Sequence, residues 1–419
     1  MKLGLENIRT LLTALGDPQL KFLKVQVAGT NGKGSVCAFL GAICRVAGVR
    51  DGVFTSPHLI SVTERIQING TDISEPDFAK HASTVRETAE NLLDAGKLEY
   101  LPTFFEQISA IALVAFSEVG VELAILETGL GGRLDATTAA NAEIAVITRI
   151  DYDHQEYLGE TLVEIAGEKA AIIRSGSNVV IAEQDSDAMN VFVDRCNSFD
   201  LAPRMARDVE VKRLSAAGAT LTFATEKGTY EHVTLGLAGK HQIENAKAAI
   251  LAAEILQEHF AITAEAIVDG LKCARHPGRL ESDGKFLFDG AHNPAGARAL
   301  RAFLDEVISD PVTLIFGAMK EKDIVAIARE LFPAADKLIL TQPANSRALT
   351  ARQLAAFVAD GRNDGHLFLT SSVAEAIRTA EAITTEPGII LVTGSLYLVG
   401  EAKKEIADAN LRIERSDLR

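Results

Sequence analysis

The sequence predicts an α/β protein of two domains. The first is a mostly parallel sheet domain with a P-loop and a small antiparallel meander, and the second is a doubly wound, Rossmann-like α/β domain. Three observations carry this expectation. Short apolar runs alternate with amphipathic segments along most of the chain, as strands and helices of a parallel sheet do. Residues 207–236 break that rhythm with three short runs separated by Gly218 and by Lys227-Gly228. Arg275-His276-Pro277-Gly278-Arg279 then interrupts it with a Pro-Gly turn, after which a second strand–helix series begins. Domains are therefore expected at 1–274 and 282–419, with a hinge at 275–281.

In the first domain, apolar runs predict strands at 24–28, 52–55, 122–126, 144–148 and 178–182. Helical periodicity falls near 35–47, 77–94, 104–119, 161–173 and 187–197. The runs beginning at Val209, Ala219 and Tyr230 alternate polar and apolar residues and predict the meander; a helix from His241 to His259 follows. Beyond the boundary, strands are expected at 285–289, 312–317, 337–341, 366–370 and 388–393. Helices are expected near 294–308, 322–332, 350–359, 373–385 and 396–408.

Composition narrows the function classes. The 42 basic and 57 acidic residues give a net charge of −15, and there is no basic run, which disfavours nucleic acid and membrane surfaces as partners. An anionic substrate must then meet local positive groups or metal ions. The four cysteines show no CxxC pair or metal-ligand spacing and read as reduced thiols of a cytoplasmic protein. The N-terminus does not resemble a signal peptide, and no apolar run approaches the ~20 residues of a membrane span.

The most informative segment is Ala28-Gly29-Thr30-Asn31-Gly32-Lys33-Gly34-Ser35, between an apolar strand-like run and a helix-like run. Glycines let backbone N–H groups point at a phosphate, a helix N-terminus adds partial positive charge, and Lys33 neutralises oxygens. Ser35 stands where a hydroxyl can hold Mg²⁺. The spacing departs from GxxxxGK[ST], since Gly34 separates the lysine from the serine. An ordinary turn before a core helix is the alternative, but it gives no packing reason for a lysine in mid-turn.

Glu127 ends an apolar strand and precedes Thr128-Gly-Leu-Gly-Gly132, the place for a Mg²⁺ ligand in such a sheet, or else for a loop cap. His154 follows the next strand, where a ligand role competes with that of a hydrogen-bonded loop histidine. Ser56, before Pro57, fits either a cation ligand or the start of a turn. Lys169, on its amphipathic helix, reads from pattern alone as a solvated lysine. Phe104 and Phe105 divide evenly between core packing and the lining of an aromatic ligand.

Taken together, AGTNGKGS (28–35), TSPHL (55–59), ERIQING (64–70), ETGLGGRLDATT (127–138), DHQEYLG (153–159) and GEKAAI (167–172) resemble the motifs of the folylpolyglutamate synthase/dihydrofolate synthase group of the Mur ligase family. GKHQIENA (239–246), RHPGRLE (275–281), DGAHNPAG (289–296) and TGSLYLVGE (393–401) extend the match in the same order over nearly the whole chain. The resemblance implies that Gly29, Thr30, Asn31, Gly32, Lys33, Gly34 and Ser35 bind ATP phosphates. Ser35, Ser56 and Glu127 would hold one Mg²⁺, and Glu127 and His154 a second. Lys169 matches a carbamylated lysine of the family, counted with the metal ligands. Asn245, Arg279 and Asp289 match ATP-contacting positions, His292 a position near adenine and the incoming glutamate, and Ser395 the glutamate side. Lys33, Glu127, His154, Lys169 and His292 would thus carry the chemistry.

The implied reaction joins L-glutamate to a folate carboxylate at the expense of ATP, through an acyl phosphate. The substrates would be dihydropteroate, a reduced folate or both, with ADP and phosphate as products and the enzyme a cytoplasmic monomer. Domain closure about the hinge is expected to shield the intermediate from water. Two departures from the family pattern stand out. Met1 directly precedes the segment beginning at Lys2, where relatives commonly have a further helix, and the stretch between Arg279 and Asp289 is shorter than in some relatives. Three alternatives remain: polyglutamylation alone, another Mur-type amino-acid ligase, and a P-loop regulatory module. The second usually carries an N-terminal UDP-binding domain, for which a P-loop beginning at residue 29 leaves no expected room. Against the third, the chain has no NKxD guanine motif.

Overall fold

The structure is a computed structural model that describes residues 4–213, 220–358 and 366–417. The chain divides into two compact units. The first comprises Met1–Pro57, Val62–Leu237 and Gln242–Arg275; the second comprises His58–Ser61, Ala238–His241 and His276–Arg419.

The strands of the first unit are β1 (Leu23–Ala28), β2 (Asp51–Phe54), β3 (Ile66–Ile68), β4 (Thr71–Asp72), β5 (Leu123–Glu127), β6 (Ile144–Ile147), β7 (Asn178–Ile181) and β8 (Arg204–Met205). They form one sheet in the order β4-β3-β2-β5-β1-β6-β7-β8, parallel except for the β2-β3-β4 edge. Its helices are α1 (Glu6–Ala14), α2 (Lys33–Val46), α3 (Glu75–Asp94), α4 (Phe104–Val119), α5 (Gln155–Leu158), α6 (Leu162–Ala170), α7 (Ser186–Asn197), α8 (His241–Leu256) and α9 (Ala264–Cys273). The meander is present as β9 (Glu210–Arg213), β10 (Leu221–Ala224) and β11 (Thr229–Val233), antiparallel throughout. Of the expected meander over 207–236, residues 214–219 lie outside the described residues.

Strand alternation sorts the core into layers. Val25, Val27, Leu123, Ile125, Ile144 and Val146 pack with apolar residues of α2, α8, α9 and the meander. On the other face, Phe54, Ala124 and Leu126 pack with α1, α3 and α4, and Ala145, Ile147, Val179 and Ile181 with α6 and α7. Gly270 of α9 permits the close approach of α2, since a Cβ there would stand 2.4 Å from the Ile43 Cα.

The second unit contains β12 (Glu281–Asp283), β13 (Phe286–Asp289), β14 (Val312–Phe316), β15 (Lys337–Leu340), β16 (Leu367–Leu369) and β17 (Ile389–Thr393), in the order β12-β13-β17-β14-β15-β16. All pairs are parallel except β12–β13. Helices α10 (Pro294–Val307), α11 (Ile324–Leu331) and α12 (Ala351–Ala355) share one core cluster, while α13 (Val373–Ile383) and α14 (Leu396–Asp417) share another on the opposite side-chain set of the strands. The expected five strands and five helices are all present. The pattern reading did not foresee α1, the β3–β4 hairpin, α5, β8, α9 or β12.

An ion pair with one buried partner ties α2 to β2 of the first sheet. Asp51 has no exposed surface; Arg45 donates to Oδ2 at 2.9 Å, whereas Oδ1 has no partner among the described groups. Burial, only partly opposed by Arg45, raises its pKa to about 6. An unfolded aspartate titrates near ~3.9. The raised folded value therefore adds stability at low pH, and that contribution is lost as pH rises through about 6. Asp51→Asn is expected to flatten the fall in Tm over this interval and to exceed wild type most clearly above it. Calorimetry at a series of pH values checks this, and parallel Tm–pH curves for the two proteins would refute it.

Candidate active site

The phosphate loop forms because β1 ends at Ala28 and α2 begins at Lys33, leaving four residues to turn the chain. Gly32 caps α2 at φ +90°, and a Cβ on it would lie 2.2 Å from the Asn245 Oδ1. A Cβ on Gly29 would lie 1.8 Å from the Thr148 Oγ1. Both glycines are thus required by close neighbours. Lys33 folds over the loop, donating to the Gly29 and Thr30 carbonyls at 3.1 and 3.2 Å. Ser35 is buried at the first turn of α2 and accepts from Gln242 Nε2 at 3.2 Å, and Asn245 donates to the Gln242 Oε1 at 2.9 Å. Gln242 and Asn245 from α8 therefore brace the loop, although sequence reasoning assigned only Asn245.

Glu127 is buried at the end of β5, opposite Val27 in the ladder. Its Oε2 accepts the Ser56 N–H at 3.0 Å, so the structure brings these two expected ligands together. The following loop is held by a residue that the sequence reading left unassigned. The Asp135 Oδ2 accepts from Gly129 N and Leu130 N at 3.0 and 2.9 Å, and its Oδ1 accepts from Thr137 N at 3.0 Å. Burial pushes its carboxyl upward against those hydrogen bonds. Gln26, buried on β1, donates to Thr137 and Thr138 hydroxyls at 2.9 and 2.7 Å. Phe105 packs beneath Gly129 and against Phe54, with ring centroids 5.8 Å apart. Phe104 is exposed, with the Arg65 guanidinium over its ring. The pair divides between core and surface.

His154 adopts a left-handed conformation at φ +50° and precedes α5; its imidazole is partly exposed, with Nε2 3.9 Å from Asp153 Oδ2. Lys169 corrects the solvated-lysine expectation. It is 4% exposed near the end of α6, because Ala166 and Ala170 on the same helix join the core and carry the stem inward. Burial first, and then the nearby Lys33 ammonium, bring its pKa down to about 7. Near neutral pH a large share of this amine is therefore uncharged.

In the second unit, Asp289 ends β13 and is buried, accepting from Leu280 N and Ala291 N at 3.0 and 2.9 Å. Burial raises its pKa, opposed by the Arg279 and His241 charges. The ring Nδ1 of His292 lies 2.8 Å from the Gly290 carbonyl oxygen. Asn293 caps α10 through Gly296 N, and Ser395 accepts from Leu398 N at 3.1 Å. His276 is held neutral, its pKa lowered to about 3 by burial and then by Arg279.

Among the described residues, no three His, Cys, Asp or Glu side chains cluster as a metal cage. Glu127, bonded to the Ser56 backbone, and the buried Ser35 at the first turn of α2 offer oxygen donors. That chemistry fits Mg²⁺, a hard cation that keeps water and shares substrate phosphates rather than requiring an all-protein cage.

A glycine-loop α/β unit followed by a second α/β unit defines the class. The description Mur ligase middle domain matches residues 27–253, and Mur ligase, glutamate ligase domain matches residues 278–396. The chain belongs to the Mur ligase family. It is 34% identical to a Bacillus subtilis dihydrofolate synthase/folylpolyglutamate synthase, over 97% of this chain and 95% of that protein. It is also 34% identical to a Halobacterium salinarum probable bifunctional folylpolyglutamate synthase/dihydropteroate synthase, but spans only 49% of that protein's length. The Mycobacterium tuberculosis folylpolyglutamate synthase complexed with ADP and AMPPCP superposes with a TM-score of 0.90 at 31% identity, over 96% of this chain and 95% of that one. An Escherichia coli FolC in complex with DHPP and ADP gives 0.87 at 29%, over 98% and 94%. A Yersinia pestis bifunctional folylpolyglutamate synthase/dihydrofolate synthase with Mn, AMPPNP and L-glutamate bound gives 0.84 at 28%, over 97% and 95%. No helix among the described residues is long and apolar enough to cross a membrane.

The glycine requirement can be tested in the fold itself. Gly32→Ala adds left-handed strain of about 1–2 kcal/mol and an overlap with Asn245. Its Tm should fall by several degrees. Combining it with Asn245→Ala should recover the part due to overlap. Additive losses in thermal denaturation would contradict the contact.

Proposed function

We propose that this chain is an ATP-dependent ligase that forms an amide between L-glutamate and the carboxylate of a dihydropteroate or reduced-folate substrate, releasing ADP and phosphate. The observation that carries the reading is the alignment of the glycine loop, Glu127 and the segment after β6 at one end of a parallel sheet, in a chain related over nearly its whole length to proteins so named. In this reading the substrate carboxylate attacks the γ-phosphorus of ATP and ADP leaves. The glutamate amine then attacks the acyl phosphate and displaces phosphate, losing a proton. Both acceptance of dihydropteroate and extension of reduced folates belong to the proposal, as do a cytoplasmic monomer and a hinge at 275–281.

The chain's own groups supply positioning and charge. Loop residues 29–35 receive the phosphates through backbone N–H groups and Lys33. Ser35, Ser56 and Glu127 would hold one Mg²⁺, and Glu127, His154 and a carboxylated Lys169 another. Bound there, the cations supply charge neutralisation between the carboxylate and the triphosphate. Asn245 is assigned to the nucleotide. In the second unit, Arg279 and Asp289 are also assigned to the nucleotide, His292 to adenine and the incoming glutamate, and Ser395 to the glutamate side. Lys169 can gain a carboxylate because its uncharged amine adds CO₂, forming an N–C bond and releasing a proton. Its lowered pKa, about 7, supports that chemistry.

Coupled ADP release is expected only with glutamate and a folate substrate together; parallel assays with dihydropteroate and tetrahydrofolate resolve the specificity. Glutamate-independent ADP release at the same rate would reject ligation. Glu127→Gln should reduce kcat by about a hundredfold or more while leaving Tm within a few degrees, because one charge is removed from both cations. A wild-type rate would reject the ligand role. With ¹³C-bicarbonate, a carbamate resonance should grow as pH rises through about 7 and be absent in Lys169→Ala. A fully active Lys169→Ala, with no stimulation by added acetate, would reject the carbamate.

A further inference from the structure

The segment joining β6 to His154 is held in a way that neither β6 nor the phosphate loop explains alone. The last backbone ladder bond between β6 and β7 runs from Ala182 N to the Ile147 carbonyl, at 2.8 Å. Beyond it the side chain of Gln184 takes over. Its Nε2 donates to the Thr148 carbonyl at 3.0 Å and its Oε1 accepts from Ile150 N at 2.9 Å. In a parallel ladder a residue bonds to the groups on either side of the residue opposite it. The Gln184 amide therefore occupies the position of one more strand peptide, opposite Arg149.

The other side of the segment is fastened to the phosphate loop. The Arg149 carbonyl accepts from Thr30 N and Asn31 N at 3.0 and 3.3 Å. The Thr30 hydroxyl donates to the Asp151 carbonyl at 2.9 Å and accepts from Asp151 N at 3.1 Å. Residues 148–151 are thus clamped between Gln184 and Thr30, three residues before His154. The histidine cannot take its direction from a ladder, because β6 has ended and its own backbone is left-handed at φ +50°.

We infer that Gln184 is a positioning residue: by extending the sheet past the end of β7, it fixes the segment that presents His154 and thereby sets the affinity for the divalent cation held there. The inference rests on the proposed role of His154 as a cation ligand. Gln184 bonds only to backbone groups of the segment, so its effect must pass through the geometry of that segment. Removing the amide should loosen the cation more than the nucleotide, whose loop retains its glycines, Lys33 and the helix N-terminus.

The test uses the full chain in bicarbonate buffer, with Mn²⁺ titrated calorimetrically into the ADP-saturated protein, and ADP titrated separately without metal. Gln184→Leu keeps the side-chain volume and loses both hydrogen bonds. It should weaken Mn²⁺ binding by about tenfold or more, the range seen when a group that orients a metal ligand is removed. Metal-free ADP affinity should stay within about twofold, since its phosphate contacts are retained. Gln184→Glu keeps the acceptor and should fall between Leu and wild type, which also covers a failure of the Leu variant to fold. His154→Ala is the control. If it weakens Mn²⁺ and both Gln184 variants bind as wild type, the positioning role is overturned while the ligand role stands. If His154→Ala binds Mn²⁺ normally, the ligand role fails and takes the inference with it. Equal losses of ADP and Mn²⁺ affinity in Gln184→Leu would show general damage to the loop and would also overturn the proposal.

Discussion

The parallel ladder of β5, β1 and β6 is the constraint on which the rest of the first unit depends. Pairing Val27 with Glu127 and Ala28 with Ile147 makes three strands end at one level. The residues that follow those strands are the glycine loop, the Glu127 loop and the segment leading to His154. Parallel pairing also requires every return connection to cross a face of the sheet, so helices cover both sides. The strand interiors can then be continuously apolar, while polar groups concentrate where the ladder stops. Shifting β5 by one residue relative to β1 would turn Glu127 toward the opposite face.

Holding loops at that edge requires polar groups inside the protein, and the structure satisfies them locally. Gln26 is one of two buried polar residues of β1, with Lys24, and its amide finds threonine hydroxyls from the loop after β5. Asp135 serves backbone N–H groups of the same loop. Asp135 thus replaces the water the loop backbone would otherwise bind, while Gln26 anchors the loop through its hydroxyls. The glycines answer a different demand, close approach. Gly132, for example, lies where a Cβ would stand 2.8 Å from the Glu168 carbonyl oxygen of α6. Loop rigidity in this unit thus comes from packed glycines and buried acceptors together.

How much of this was legible follows from which interactions are local. Strand and helix identity came through because apolar periodicity is a property of neighbouring residues; the phosphate loop and the position of Glu127 came through for the same reason. The β3–β4 hairpin had a local signal that was read only as a motif: Asn69-Gly70, both at positive φ. Lys169 was misplaced because a helix lysine is solvated or buried according to what packs on the helix, and Ala166 and Ala170 leave room for its stem to turn inward. Asp135 and Gln184 were missed because their partners are backbone groups, which have no identity in a sequence. Gln184 lies 34 residues from Ile150, and nothing in the intervening composition announces the bond.

Charge makes the buried Lys169 consequential. The chain is acidic overall, at −15, and yet Lys33 stands close enough to Lys169 to disfavour the protonation of the buried amine. The cost falls on the buried partner, because desolvation already penalises its charged form, while Lys33 retains carbonyl oxygens as partners. A nucleotide phosphate on Lys33 would remove that repulsion and favour the protonated amine again. A carbamate on Lys169, as proposed, would reverse the sign altogether and convert a repulsive pair into an attractive one. Burial penalises either sign of charge, so it is the Lys33 ammonium that would make an anionic group at Lys169 a better neighbour than a second ammonium, provided that it forms while the amine is neutral.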